Sequence, residues 1–447
     1  MANASQDIAI ELLQALIRNE CVNDGTPDSG GEIRNAELLT GFLEGATGEH
    51  ERFSPIEGRT SVVARIEGSD PTAPTLCLMG HTDVVPVNPD GWSRDPFGGE
   101  LVDGEVWGRG AIDMLNMTAT MAVAFRGLAE SGWKPRGTLI YFGVADEEAG
   151  GAHGAEWMTE HHWDAVGADY VLTEAGGIPI RATEAPSLAI NVAEKGIAWR
   201  RLRVRGTPAH GSMPYGSDNA AIKAAEVIRR LATYRGATVI SDAFRSWVER
   251  AELDPEISAA LLDPERTWAT LDRLPPKLAK SCHASCHTTF SPNVVHGGQK
   301  TNIIPDVVDI DVDIRTLPGI TGDDVDTMLV DLLGELRSDV EISAVQGDIH
   351  RESTASPTDT PLWDAISSAT QVAYPGAKLM PGLVTGGTDS PFYRAKGAVA
   401  YGAGIYSPAV DMETFANRFH GHDERIDVAS LGLGVEFWTH IAHTICD

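Results

Sequence analysis

The sequence feature that most constrains the fold is a run of eight mostly apolar residues, 138–145, that ends in three consecutive carboxylates, Asp146, Glu147 and Glu148. A run of this length and composition predicts a strand that is buried on both faces. Negative charge concentrated at the end of a buried strand is costly unless a cation or a proton compensates it. We therefore expect a metal ion, a catalytic acid, or both at this strand end.

Helical and strand patterns alternate through the first part of the chain. Residues 8–17, 33–43 and 114–128 carry apolar side chains at helical spacing, whereas 75–80 and 168–173 have the pattern of short buried strands. Such alternation is typical of a parallel sheet that is flanked by helices. The sequence therefore predicts an α/β fold with a mostly parallel central sheet.

The pattern changes after about Pro186. Longer, partly alternating strands occupy residues 187–204, and residues 307–314 alternate strictly, as in a half-exposed strand of an antiparallel sheet. Residues 236–280 are helical, charged and proline-bearing, which indicates a peripheral excursion. The block as a whole has the character of an α+β domain.

The α/β pattern resumes near residue 354. We accordingly predict one domain formed by residues 1–185 and 353–447, with a second domain, 186–352, inserted into it. A length of 447 residues with 42% apolar content is enough for two domains with cores of their own.

Composition limits the partners and the compartment. The chain has 64 acidic and 35 basic residues and a net charge of −29, so nucleic acid and anionic membranes are poor partners. Neither a signal peptide nor a stretch of eighteen apolar residues is visible in the sequence. The five cysteines are odd in number and mostly scattered, which is typical of a reducing compartment. These features together predict a cytoplasmic protein.

Side chains that bind metals follow several of the predicted strands or stand close to another apolar segment. In order, they are His81, Asp113, the Glu147–Glu148 pair, Glu174, and the two histidines of the segment 420–424. Because the carboxyl ends of strands in an open parallel sheet face a common crevice, these side chains are expected to converge.

The ligand types favour two ions. Imidazoles with several carboxylates suit zinc, with manganese or cobalt as substitutes. The carboxylates are too many to bind one tetrahedral ion, whereas two ions about 3.5–4 Å apart can bind more of them, with one carboxylate shared. Asp113 is the natural bridge, and each ion would then take one histidine and one glutamate. One of Glu147 and Glu148 would remain as a general base.

A further carboxylate stands two residues after His81. Asp83 could accept the other imidazole N–H and so fix the tautomer of His81. We expect Asp83 to support catalysis in this way rather than to bind an ion.

At these motifs the chain resembles the dinuclear-zinc family of aminoacylases, acetylornithine deacetylases, succinyl-diaminopimelate desuccinylases and carboxypeptidase G. The matching segments span almost the whole chain in the family's order. They are residues 80–86, 108–114, 146–151, Glu174, 209–212, 297–306, 386–390 and 420–424.

The resemblance implies a zinc-peptidase-like catalytic domain with an inserted lid domain that mediates dimerisation. It implies the metal ligands His81, Asp113, Glu148, Glu174 and His420, with Glu147 as the base that activates a water between the ions. In the second domain it implies that His210 stabilises the oxyanion in the partner subunit's site. It also implies substrate contacts from Asn302, Arg315, Gly386 and Gly387.

The chain departs from the family's pattern at a few positions. Leu115 and Asn116 stand where relatives often have lysine and glycine, which alters the side chains expected at the wall of the site but keeps the ligand Asp113. Position 174 is glutamate, where aminopeptidase branches usually carry aspartate, and this favours the deacylase and carboxypeptidase branches.

The expected function is hydrolysis of an amide bond next to a free carboxylate, in an N-acyl amino acid or a short peptide, by a homodimer. The alternatives are hydrolysis of another bond, such as a phosphoester, at a similar two-metal site, or a catalytically silent binding protein on the same fold.

His422 competes with His420 as a ligand, although the family register favours His420. The pair Cys282 and Cys286 has three residues between its members, unlike a haem attachment motif, and a buried segment is the simpler interpretation.

Overall fold

A computed structural model describes residues 2–46, 50–180, 185–251, 253–345 and 351–447. The chain divides into two compact units. Unit 1 consists of Met1–Val192, Ser356–Gly382 and Thr388–Asp447, and unit 2 of Ala193–Ala355 and Leu383–Gly387. The first predicted segment ends at residue 185 and unit 1 continues to residue 192, seven residues further. The predicted inserted domain ends at residue 352 and unit 2 continues to residue 355, three residues further. Unit 2 also includes the short segment 383–387, which lies outside the predicted insertion.

The α-helices of the described residues alternate with strands through most of the chain. They are α1 (Ala2–Arg18), α2 (Ile33–Leu43), α3 (Leu115–Glu130), α4 (Ala155–His161), α5 (Trp163–Val166), α6 (Ala220–Ala232), α7 (Asp242–Arg250), α8 (Pro255–Leu261), α9 (Thr267–Leu271), α10 (Pro276–Cys286), α11 (Gly322–Leu333), α12 (Pro361–Ala373), α13 (Ser390–Arg394), α14 (Met412–Arg418) and α15 (Val428–Cys446).

The strands vary from two to ten residues in length. They are β1 (His50–Ile56), β2 (Arg59–Ile66), β3 (Leu76–His81), β4 (Glu100–Val102), β5 (Glu105–Trp107), β6 (Leu139–Val144), β7 (Tyr170–Thr173), β8 (Ile178–Pro179), β9 (Ser187–Glu194), β10 (Gly196–Ile197), β11 (Arg200–Arg205), β12 (Ala209–His210), β13 (Thr289–Gly297), β14 (Ile303–Ile304), β15 (Val307–Thr316), β16 (Val340–Ala344), β17 (Thr354–Ala355), β18 (Lys378–Val384), β19 (Val399–Gly402) and β20 (Arg425–Asp427).

Unit 1 is built on a sheet with the strand order β1-β2-β6-β3-β7-β19-β9. The central strands β6, β3, β7 and β19 run parallel to one another. The flanking strands are antiparallel, since β2 pairs with β6, β1 with β2, and β9 with β19 in that sense. The predicted α/β fold with a mostly parallel central sheet is thereby confirmed.

Successive side chains of the inner strands point to opposite sides of this sheet, so both faces carry apolar side chains that need cover. Helices pack on both faces. Cys77 and Met79 of β3 pack on one face in a buried cluster with Met158 of α4 and Tyr393 of α13. On the other face, the Tyr141 hydroxyl of β6 donates a hydrogen bond to a main-chain carbonyl of α3 (3.3 Å). All six residues of β6 are buried, as the apolar run predicts.

The parallel register brings the predicted motifs to one edge of the sheet. His81, the last residue of β3, lies beside Val144, the last residue of β6. Glu174 follows the last residue of β7, which pairs with Gly402 of β19. The carboxyl ends of these strands therefore meet at a common edge.

Unit 2 contains an antiparallel sheet with the strand order β13-β15-β11-β16, and β10 pairs with one end of β15. Alternate residues of β15 are buried against α6 and α11 in one cluster. The intervening Asp309 and Asp311 lie on the other face and pair with Arg203 (2.8 Å) and Arg201 (2.6 Å) of β11. The strict alternation of residues 307–314 is thus confirmed as a strand with one buried face.

The predicted helical excursion of unit 2 is also confirmed. Helices α7 to α10 enclose a small core of their own, which includes Phe244, Val248, Leu261 and the two cysteines of α10. Among the described residues, no helix is both long enough and apolar enough to cross a membrane.

Candidate metal centre

Three of the predicted side chains form a buried group at the carboxyl edge of the sheet of unit 1. The Nε2 atom of His81 lies 3.2 Å from Oδ1 of Asp113 and 3.9 Å from Oε2 of Glu174. One ligand atom of each residue lies within 4.8 Å of those of the other two. All three residues are buried, so this group is closed off from bulk water.

A second group shares Asp113 with the first. Nε2 of His420 lies 2.8 Å from Oδ2 of Asp113 and 3.6 Å from Oε2 of Glu148. Asp113 thus turns one carboxylate oxygen toward His81 and the other toward His420. This is the arrangement of a carboxylate that can bridge two cations, each of which would also have one imidazole and one glutamate.

The local backbone determines what the two adjacent glutamates do. Asp146 has a left-handed conformation (φ 69°), and a single 3₁₀ turn covers Glu147–Ala149. This turn brings Glu148 toward Asp113 and His420, whereas neither metal-type group found among the described residues contains Glu147. Glu147 is only partly buried and interacts electrostatically with His81 and Asp113.

The electrostatics of the protein alone call for compensating positive charge. Burial would lower the pKa of His81, but the hydrogen bond to Asp113 and the charge of Glu174 outweigh it and raise that pKa well above its usual value. Burial and neighbouring carboxylates raise the pKa of Glu147 and of Glu174 well above the usual range. Although burial opposes it, hydrogen bonds from His420 and His81 hold the pKa of Asp113 far below its usual range. Divalent cations would supply the charge that protons supply here.

The donor atoms fit such cations. Imidazole nitrogens with carboxylate oxygens are the usual ligands of zinc, manganese and cobalt. Oε1 of Glu148 is buried and has no hydrogen-bond partner in the described parts of the chain, which leaves a carboxylate oxygen free to bind an ion. The residues present therefore fit a dinuclear metal centre.

The expectation for Asp83 is corrected in one respect. The Nδ1 atom of His81 lies 2.9 Å from the backbone carbonyl oxygen of Asp83 and 3.7 Å from its carboxylate. The carboxylate instead accepts hydrogen bonds from the side chain of Asn23 (2.9 Å) and the backbone N–H of Glu148 (3.1 Å). The carbonyl can fix the tautomer because it accepts from the ring N–H, and the carboxylate is used to hold the Glu148 turn.

A buried ion pair that the motifs did not reveal supports Asp113 from behind. Oε1 of Glu424 accepts hydrogen bonds from the backbone N–H groups of Ile112 (2.6 Å) and Asp113 (3.1 Å). Its other oxygen pairs with Arg109 (2.5 Å), which also reaches the main-chain carbonyl of His420 (3.4 Å). Arg109 and Glu424 belong to the matching segments 108–114 and 420–424, and neither of them was assigned a role from the sequence.

The second histidine of that motif lies elsewhere. The ring of His422 is packed so close to Gly91 that a Cβ on this glycine would lie 2.3 Å from it. His420, rather than His422, is therefore the histidine beside Asp113.

Cys282 and Cys286 are buried in α10, and Sγ of Cys286 lies 3.2 Å from Nδ1 of His287.

The remaining predicted residues belong to unit 2, and two of them are neighbours. His210 of β12 pairs with Ile303 of β14, and the N–H of Gly211 donates to the carbonyl of Asn302 (2.9 Å). Nδ1 of His210 accepts from the backbone N–H of Ser212 (3.2 Å), so the neutral ring carries its proton on Nε2.

The predicted substrate arginine is already engaged within unit 2. Nε of Arg315 donates to Asp313 (2.8 Å), which also accepts from the indole of Trp199 (2.7 Å). Gly386 and Gly387 are exposed, and a Cβ on Gly387 would lie 3.4 Å from Nη1 of Arg351. Arg351 thus stands beside the predicted backbone pocket, and no sequence motif singled it out.

Comparison with known proteins identifies the family. The profile of peptidase family M20/M25/M40 matches residues 77–444. The N-fatty-acyl-amino acid synthase/hydrolase PM20D1 of Xenopus tropicalis is 28% identical over 397 residues, which cover 86% of this chain and 75% of the relative. Aminoacylase-1 of Homo sapiens is 27% identical over 376 residues, with 84% and 80% covered.

Solved structures share the fold. An M20 family metallo-carboxypeptidase from Sulfolobus solfataricus aligns with a TM-score of 0.70 at 18% identity, over 99% of this chain and 98% of the other. A dinuclear metal-binding M20 peptidase from Bacillus subtilis aligns with a TM-score of 0.61 at 14% identity, over 98% of this chain and 99% of the other. The match over most of the chain shows that this protein belongs to peptidase family M20/M25/M40 and is a metal-dependent hydrolase of amide bonds.

Proposed function

We propose that the protein hydrolyses the amide bond of N-acyl amino acids or short peptides next to a free carboxylate, with two divalent cations. One observation carries the proposal. Asp113 turns one oxygen to His81 and the other to His420, each of which has a glutamate of its own nearby. The names of the relatives, an N-fatty-acyl-amino acid synthase/hydrolase and an aminoacylase, support the substrate class.

The residues would hold the ions in two sets that share Asp113. His81 and Glu174 would bind one ion, and Glu148 and His420 the other. Zinc suits these ligands best, with cobalt or manganese as substitutes. Such ions, when bound, supply Lewis acidity toward the scissile carbonyl and make water more acidic.

Glu147 is the proposed proton carrier. It belongs to neither ligand set but interacts electrostatically with His81 and Asp113, which supports a role beside the reacting water. It would accept a proton from the attacking water and give it to the nitrogen of the leaving amine. In the metal-free protein, burial and the nearby carboxylates raise the pKa of Glu147.

His210 is proposed to donate a hydrogen bond to the oxyanion in the partner subunit's site. Its neutral ring carries the proton on Nε2, because Nδ1 accepts from Ser212. The segment that follows exposes Met213 (72%) and Tyr215 (102%), apolar surface of the kind that subunit interfaces cover. We propose a homodimer on this basis.

Mixed dimers test the contribution in trans. Dimers that combine His210→Ala with Glu147→Gln should recover part of the activity that each homodimer lacks, because one site of the mixed dimer would have both groups intact. Recovery should reach up to about half of the wild-type activity per dimer. Mixed dimers that form but remain inactive would contradict a role in trans.

Asn302 and an arginine are proposed to bind the substrate carboxylate, and Gly386 and Gly387 are proposed to line the pocket through their backbone. Arg315 is the sequence prediction, but its Nε atom is committed to Asp313. Arg351 is the second candidate, because it stands beside Gly387. If Arg351 binds the carboxylate, Arg351→Lys will raise KM more than Arg315→Lys does, since lysine lacks the paired donors of the guanidinium.

A substrate panel tests the proposed function directly. Zinc-loaded protein is assayed with N-acyl amino acids, their amides without the free carboxylate, dipeptides and aryl phosphates. We expect turnover of the first and third classes, loss of activity on chelation, and recovery with zinc. Turnover of aryl phosphates alone would favour the phosphoester alternative, and two bound ions without any turnover would favour a binding protein.

A further inference from the structure

We propose that Arg59, together with Asn23 and Glu32, is a positioning group for the metal centre, because these residues hold the turn that carries Glu147 and Glu148. The inference rests on the proposed metal centre. All three residues precede residue 77, where the match to the family profile begins, and none belongs to a motif of the sequence analysis.

The guanidinium of Arg59 is the middle of a buried polar network. Its Nη1 donates to Oε1 of Glu32 (2.7 Å), and its Nη2 donates to Oδ1 of Asn23 (2.9 Å). Nη1 also lies 3.5 Å from Oδ1 of Asp146. The exposed fractions of Arg59, Glu32 and Asn23 are 3%, 0% and 2%, so the network is shielded from solvent. Hydrogen bonds of this kind to charged groups are strong when buried.

Glu32 links the network to the backbone of the catalytic turn. The same Oε1 atom that binds Arg59 accepts a hydrogen bond from the N–H of Asp146 (3.2 Å). Asp146 has φ 69°, a left-handed conformation that costs a non-glycine residue about 1 kcal/mol or more and persists only where its surroundings enforce it. The next two residues are Glu147 and Glu148, so the contact fixes the start of the turn that separates them.

Asn23 links the network to the same turn by a second route. Its Nδ2 donates to Oδ2 of Asp83 (2.9 Å) and to Oδ1 of Asp146 (3.2 Å). Oδ2 of Asp83 in turn accepts from the N–H of Glu148 (3.1 Å). The main chain of Asn23 is anchored as well, because its backbone N–H donates to the carbonyl of Val84 (2.9 Å).

The two routes make Arg59 more than a source of stability. The two Nη groups of its guanidinium bind Glu32 and Asn23 at once. Glu32 accepts from the N–H of Asp146, and Asn23 donates to Asp83, which accepts from the N–H of Glu148. A displacement of reacting groups by about 1 Å can cost 10²-fold in rate, and loss of partners behind metal ligands typically costs about 10–100-fold in affinity or activity. A purely structural residue would change the stability of the fold but not the properties of the bound ions.

The test compares two conservative substitutions on the same strand. Arg59→Lys keeps the charge but loses the two Nη groups of the guanidinium. Arg65→Lys is the matched control, because Arg65 also lies on β2 but is partly exposed and pairs with Glu67. The readouts are the affinities for two zinc ions by calorimetry, the visible absorption of the cobalt-loaded protein, kcat and KM, and the melting temperature.

For Arg59→Lys we expect an affinity for one of the two ions that is about 10–100-fold weaker, with a changed cobalt spectrum. We also expect a lower kcat with little change in KM, because the substrate contacts are untouched. Arg65→Lys should match the wild type in all four readouts. Asn23→Ala, which buries no new charge, is the second variant and should reproduce the effect of Arg59→Lys.

Wild-type ion affinities and cobalt spectra in both Arg59→Lys and Asn23→Ala, with only a lower melting temperature, would overturn the inference. If Arg59→Lys does not fold, Asn23→Ala decides, and failure of both to fold would assign these residues to stability alone. A wild-type protein that binds two ions but hydrolyses no amide would contradict the proposed function and leave this test intact. A wild-type protein that binds no zinc would overturn both.

Discussion

The two halves of the candidate metal centre share Asp113 but differ in how the fold supports them. His81 is the last residue of β3 and is 1% exposed, and its partner Glu174 directly follows β7. His420 lies in the loop after α14, with a left-handed backbone (φ 52°) and a side chain that is 41% exposed. The first half-site is therefore part of the sheet edge, whereas the second depends on a loop.

This difference predicts unequal ion binding. Ligands on regular elements are held more rigidly than ligands on loops, so the ion between His81 and Glu174 should bind more tightly. The ion between Glu148 and His420 should leave first on chelation. Glu147 belongs to neither half-site, and its removal should leave both ions in place.

The largest effect is expected from Glu147→Gln. The glutamine cannot accept and return a proton, so kcat should fall by about 10²–10⁴-fold. Both ions should remain at wild-type stoichiometry, as measured by metal analysis after gel filtration. Glu148→Gln is the control from the adjacent position, and it should weaken the binding of one ion. Near-wild-type turnover by Glu147→Gln would refute the assignment of the base.

A second pair of variants compares the half-sites without metal. In the presence of a chelator, His81→Ala breaks a buried charged contact and should lower the free energy of unfolding by about 3 kcal/mol. His420→Ala alters a partly exposed contact and should lower it by less than His81→Ala does. Denaturant unfolding at pH 7 measures both. Equal losses would show that the two halves do not differ as their burial suggests.

The smallest effect concerns pH. Burial opposes protonation of His420, but hydrogen bonds with Asp113 and Glu148 outweigh it and raise its pKa from 6.5 to about 10 in the metal-free protein. Its stabilising contribution is therefore complete below pH 6.5 and is lost as the pH rises through about 10. The melting temperature of metal-free protein should fall over this range, and less steeply in His420→Gln. Parallel curves for the two proteins would contradict this.

Zinc binding should have the opposite pH dependence at the same half-site. Protons and the ion compete for the imidazole, so affinity should rise as His420 loses its proton. Calorimetric titrations at several pH values should therefore show that the zinc affinity of the half-site formed by Glu148 and His420 rises with pH. The buried half-site provides the internal comparison.

The sequence predicts the parts of the centre that follow directly from strand ends. β3 and β6 end where their apolar runs end, so His81 and the Glu147–Glu148 pair could be assigned to one edge from pattern alone. The division between the two glutamates could not, because it depends on the left-handed backbone of Asp146, and this residue is not glycine. Family resemblance was needed to propose it.

Other parts of the site depend on contacts between residues far apart in the chain. Oδ2 of Asp83 accepts from Asn23, 60 residues earlier, and it is the backbone carbonyl of Asp83 that lies 2.9 Å from Nδ1 of His81. Glu424 supports the N–H of Asp113 across 311 residues, which no local pattern encodes. The position of Arg351 beside Gly387 likewise arises only when the chain folds.

Anomalous diffraction from crystals of the zinc-loaded protein would locate both ions and their ligands. Two zinc peaks are expected about 3.5–4 Å apart, on either side of Asp113. One should have His81 and Glu174 as ligands, the other Glu148 and His420, with Glu147 bound to neither. A single peak, or Glu147 on an ion in place of Glu148, would contradict the proposed metal centre.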